Sequence, residues 1–135
     1  MLLNFLNKLF RSKVLDQKPK LLSFSFNDRK ITAYYDTINP VEIYYRDILT
    51  IYIIFHDTSY PIPVWNIVAE DNFIQIDNTE SINFKLLINM FSNNLENFNE
   101  DSRMEIIKAM GSVSGIFHVW NRKDSDEIFS KKKII

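Results

Sequence analysis

The chain has 135 residues, a formal net charge of −1, 46% hydrophobic residues with 14% aromatics, and no cysteine. That is enough apolar material for one packed core of ordinary domain size, and it excludes a disordered chain, a disulfide scaffold and a thiolate metal site. The near-neutral total hides an uneven distribution: residues 1–30 carry +5, residues 31–122 carry −7, and residues 123–135 carry +1.

The acidic body repels nucleic acid and favours a basic protein partner through electrostatic steering. The absence of cysteine fits a cytoplasmic, reducing compartment. Only Gly111 and Gly115 are glycines, so a glycine-built phosphate loop is excluded.

Residues 1–13, MLLNFLNKLFRSK, place Leu2, Leu3, Phe5, Leu6, Leu9 and Phe10 on one helical side and Asn4, Asn7, Lys8 and Arg11 on the other. The segment lacks the leading positive charge, unbroken apolar stretch and small-residue cleavage site of a secretory signal. It is also too short for a membrane span, which needs about 20 apolar residues. Two expectations stand for this amphipathic helix: it covers the domain's own sheet, or it lies on a membrane surface or a partner. Residues 13–20, with Pro19, read as a polar connector.

From Leu21 the period becomes two. Leu22, Phe24 and Phe26 alternate with Ser23, Ser25 and Asn27, the pattern of a half-buried strand. Asn27 and Asp28 supply turn chemistry before a partner strand, KITAYYD, from Lys30. Asn39-Pro40 marks a further turn, followed by VEIYY and then by ILTIYIIF from Ile48. The last run is apolar on both faces, so it belongs at the centre of the sheet. Pro61 and Pro63 imply that the strand over residues 62–70 lies at an edge or starts irregularly. Glu70-Asp71-Asn72 makes a turn into FIQID from Phe73.

The helical part follows. In NFKLLINMFSNNLENF, Phe84, Leu87, Ile88, Phe91, Leu95 and Phe98 recur at steps of three and four, predicting a helix of about four turns capped by Ser81 or Asn83. Asn99 to Ser102 begin a second helix with acids in its first turn. Met104, Ile107 and Met110 line one side of it, and Gly111 ends it. IFHVW then rejoins the sheet, and residues 123–135 read as a flexible polar tail. The fold expected is α+β: an amphipathic N-terminal helix, a curled antiparallel sheet of six strands, two helices and a closing strand, with residues 21–122 as the single domain.

This element order resembles pleckstrin-homology-like domains, from which the second helix and the added strand depart. The ending FNEDSRMEIIKAMGSVSGIFHVW also resembles a motif of small bacterial proteins, matched here by Phe98, Ala109, Met110, Gly111, Ser112, Phe117, Val119 and Trp120. The likeness spans at most residues 30–122 and brings no catalytic residues with it.

Searching the sequence for chemistry yields mainly exclusions. The two histidines, His56 and His118, both fall in expected strands, and no nucleophile elbow is present. No HExxH, EF-hand or P-loop pattern occurs, so no cofactor or metal is expected. His56 beside Asp57 reads better as a hydrogen-bonded structural histidine than as an acid/base pair. His118 reads as partly buried on a face with Ile116 and Trp120.

Adjacent acids such as Glu70 and Asp71 are more often solvated turn residues than a catalytic pair, which needs its two groups on opposite sides of a substrate. The tyrosines at 34, 35, 44, 45 and 52 straddle sheet faces, and those turned outward have few cationic neighbours. That is a poor stacking surface for nucleic acid and a reasonable one for protein.

The expectation is a non-catalytic binding protein of the immunity type, neutralising a basic toxin domain through Asp57, Glu70, Asp71, Asp77 and Glu80, with Tyr44 and Trp65 as anchors. The alternative is a peripheral membrane or scaffold module of pleckstrin-homology-like type using residues 1–12. Residues 31–80 offer that reading only Arg46 as a headgroup contact.

Overall fold

A computed structural model describes residues 19–55, 62–77 and 83–128. The amphipathic segment 1–12 lies outside these residues. The described strands are β1 (Leu21–Phe26), β2 (Lys30–Tyr35), β3 (Val41–Tyr44), β4 (Ile48–Phe55), β5 (Pro63–Ala69), β6 (Phe73–Asp77) and β7 (Ile116–Asn121). The helices include α1 (Phe84–Asn94) and α2 (Glu100–Met110), with a 3₁₀ turn at Tyr45–Asp47, and residues 125–128 are helical as well. No helix among the described residues is long and apolar enough to cross a membrane.

The α+β architecture stands, but the expected single curled sheet is two antiparallel sheets. One has the order β1-β2-β3 and the other β6-β5-β4-β7. The break falls at Tyr45–Asp47, where the 3₁₀ turn interrupts the chain between β3 and β4, so β4 opens a new sheet. Tyr45 sits at this corner, its hydroxyl donating to the Asn27 carbonyl at 2.7 Å and its ring edge-on to Phe91.

The doubly apolar run does take an interior place: β4 lies between β5 and β7. Strand β5 is interior too, and Pro63 is tolerated because it is the first residue of the strand, opposite Phe55.

The core gathers Ile31, Ala33 and Ile43 from the first sheet, Ile51, Ile53, Trp65, Ile67, Ile74 and Ile76 from the second, and Leu87, Phe91, Leu95 and Phe98 from the first helical segment. The apolar stripe is therefore used as its spacing predicts. The helix beneath it is shorter than four turns, stopping at Asn94 with Leu95 extended and Asn97 in the left-handed region at φ 65°. Asn, among the residues that adopt this conformation most readily, turns the chain so that Phe98 still reaches the core. Asn83 is the N-cap, accepting from the Leu86 amide.

Two details of strand orientation differ from the expectation, at Leu22 and His118. Leu22 faces solvent, while Leu21 and Phe24 turn inward. A bulge between Leu21 and Ser23 shifts the alternation by one residue.

Helix α2 buries Ser102, Ile106 and Ala109, and Met104 and Ile107 on the 104/107/110 side stand 48% and 62% exposed. A bulge in the β4–β7 ladder slips Val119 between the partners of Ile51 and Tyr52. His118 thus joins the Tyr52 face and is exposed, instead of sharing a face with Trp120.

Residues 122–128, expected as the start of a flexible tail, make defined contacts: the Arg122 amide donates to the Leu49 carbonyl, and Ser125 is buried.

Asn99 caps α2 by accepting from the amides of Asp101 and Ser102. Asn99→Ala is expected to lower stability by about 1 kcal/mol in urea denaturation, and Asn99→Ser to restore most of it.

Burial pushes the hydroxyls of Tyr45 and Tyr52 up to about 12, with the Asp28 charge adding to the effect at Tyr45. Between the ordinary tyrosine value of 10 and this raised one, the unfolded chain binds fewer protons than the folded one. The contribution of these tyrosines is thus complete below pH 10 and lost as pH rises toward 12, so the urea midpoint should fall across that window. Tyr52→Phe should flatten part of the decline.

Candidate partner-binding face

The turn from β5 to β6 presents Glu70 and Asp71 at one end of the four-stranded sheet, closed by the Ala69 amide donating to the Asn72 carbonyl at 2.9 Å. Asn72 then reaches across to the other sheet, its amide donating to the Glu42 carbonyl at 3.4 Å. The seam between the sheets becomes a depression of about 380 Å³ whose mouth carries Glu42, Asp47, Glu70, Asp71 and Arg122, over a floor including Ile43 and Leu49.

Four carboxylates face one guanidinium, a lining charge of −3 from four negative and one positive group. The Arg122 charge is already engaged, because its guanidinium bonds both carboxylate oxygens of Asp124 and the Arg46 carbonyl. That hydrogen bond holds the Asp124 carboxyl below its ordinary value.

Glu42 is engaged as well, paired with Lys30 at 2.8 Å. This pair raises the lysine above its usual range. The same ammonium lies 5.7 Å from the centre of the Tyr44 ring, and the Arg46 guanidinium lies 5.1 Å from it. Tyr44, 36% exposed, therefore stands next to the acidic mouth with its ring held by two cations.

The residues singled out from sequence divide accordingly. Glu70, Asp71 and Tyr44 come together around Glu42. Asp77 does not: it ends β6 opposite Val64, four strand steps beyond Phe73 and so roughly 13 Å along the strand from the turn. Asp57 and Glu80 lie outside the described residues.

Trp65 is not a surface anchor. It is 1% exposed, faces the core between Ile53 and Ile76, and stacks on Phe84 at 5.3 Å. Among the described residues its indole N–H finds no acceptor. Its period-two step with Ile67 was the signal that it points inward.

Glu42 and Asp47 were not singled out as site residues, and no local signal could have found them, since the depression exists only where two sheets meet. Among the described residues, no group of three or more His, Asp or Glu side chains is arranged to hold a metal. No protein-family model, curated protein or solved structure matches this chain.

Proposed function

We propose that this chain is a non-catalytic, cytoplasmic protein-binding domain of the immunity type, which neutralises a toxin by seating a basic surface of it in the acidic depression. The observation that carries this reading is the convergence of Glu42, Asp47, Glu70 and Asp71 on one concave seam. Carboxylates arrayed around a depression repel nucleic acid, attract lysine and arginine side chains, and raise the rate of encounter with a basic protein. They also resemble the charge of a phosphate backbone, so the same face fits the substrate groove of a nuclease. Tyr44 offers an aromatic contact at the rim, where such side chains commonly anchor protein partners.

The test is co-expression with the product of the neighbouring gene. The two chains are expected to co-purify, and the growth defect caused by that product alone is expected to disappear. A growth defect unchanged by this chain would overturn the reading.

A further inference from the structure

The exposed apolar side chains are unevenly spread. Of ten large hydrophobics open to solvent among the described residues, five fall within residues 104–116: Met104, Ile107, Met110, Val113 and Ile116. A concentration of this kind marks an interaction surface, where single scattered residues need no explanation.

Met104 and Ile107 lie at its centre, neighbours one turn apart on the outer side of α2. The opposite side of the helix, with Ser102, Ile106 and Ala109, is already spent in packing. Gly111 falls one step further along the outer stripe and adds no side chain there.

The charges beside this stripe run head to tail. Glu100 and Asp101 open the helix, and Lys108 lies in its last turn. Asp101 and Lys108 are seven positions, close to two turns, apart, so they share one flank with Met104 and Ile107 between them. The middle of the charged pair falls within one residue of the middle of the apolar pair, about 1.5 Å along the axis.

A twofold axis through that point sets two copies of α2 antiparallel. Met104 of each then lies beside Ile107 of the other, and Lys108 of each beside Asp101 of the other. A parallel pairing would instead set like charges against each other at both ends, which is unfavourable.

We propose that the outer side of α2 is a self-association surface whose occupant is a second copy of this chain, docked antiparallel, helix against helix. Both signs of charge flank the stripe, which suits a copy of itself better than a partner of one charge. Lys108 pairs within its own helix with Glu105 at 3.0 Å. That exposed bond is worth little, and an ammonium has a donor left for Asp101 of the second copy. Two helical turns make a small contact, so the dimer is weak, with a Kd of roughly 10–100 µM.

Sedimentation of the full chain from about 0.01 to 1 mM tests this. The mass should rise with concentration from 16.1 kDa toward twice that value. Ile107→Asp should weaken association by about 10-fold or more. Lys108→Glu should weaken it too, and Asp101→Lys combined with Lys108→Glu should restore it, because the exchanged pair is complementary again. A purely structural role for these charges predicts the reverse: the double variant sets both against the helix dipole and would be the worst of the three. Circular dichroism of each variant at the lowest concentration keeps loss of folding apart from loss of pairing.

A mass that stays at 16.1 kDa throughout would overturn the proposal. So would a dimer that Ile107→Asp leaves intact, or a charge exchange that fails to restore association. Flotation with phosphatidylglycerol vesicles, or binding of the neighbouring gene's product, that Ile107→Asp abolishes would give the surface to lipid or to that protein and equally overturn it. No residue of α2 lines the acidic depression, so this proposal and the one above fail independently.

Discussion

Phe91→Ala is expected to destabilise the protein by about 3–5 kcal/mol, a third or more of the stability of an ordinary domain of about 5–15 kcal/mol. Phe91 is fully buried against the 3₁₀ turn that joins the two sheets. Its ring lies edge-on to Tyr45 at 6.2 Å and tilted against Phe98 at 5.9 Å. Truncation opens a cavity that three separate elements would have to collapse to fill, and the two aromatic contacts are lost with it.

Urea denaturation checks this: the midpoint should drop with little change in slope. Phe91→Leu, which keeps much of the volume, should cost less than half as much. Met104→Ala is the control. It removes a side chain of similar size from the exposed side of α2 and should change stability by no more than about 0.5 kcal/mol.

The second large effect concerns binding. Reversing Glu70 and Asp71 to lysine changes the lining charge of the depression by +4, from −3 to +1. Both residues sit in a surface turn, and the urea midpoint of the double variant separates any loss of stability from loss of binding.

Association with a basic protein partner should slow on the order of 10- to 100-fold at low salt. The difference should shrink as ionic strength rises through about 0.15 M, where the screening length is near 8 Å. Stopped-flow or surface-based kinetics against the product of the neighbouring gene would measure it, with the loss expected mainly in the association rate, as is usual for charges at a rim. Association unaffected by the double reversal would remove the depression from the binding face.

Much of the element order was legible because periodicity is a local property. The 3.6-residue stripe from Phe84 to Phe98, the doubly apolar β4 and the asparagine caps at 83 and 99 are each written within a dozen consecutive residues. The misreadings of Leu22 and His118 share one physical origin.

Leu22 and His118 turned to the opposite face because a bulge adds one residue to a strand, and a period of two reverses with every such insertion. For α2, Met104, Ile107 and Met110 were legible as one side of the helix, but their spacing does not say which side packs. The structure buries the side of Ser102, Ile106 and Ala109. Trp65 was expected outside because of its residue type, although its neighbours in the strand already marked it as part of the core.

By itself, the sequence determined an α+β chain with a central apolar strand, an acidic body, asparagine-capped helices and none of the familiar catalytic signatures. These follow from composition and from spacings shorter than one element. Only the tertiary structure decided that the strands divide into two sheets at the Tyr45–Asp47 turn, and that the division brings Glu42 and Asp47 beside Glu70 and Asp71. A charge cluster of that kind depends on distances across the fold, and residues more than twenty positions apart in the chain leave no trace of their proximity in local pattern.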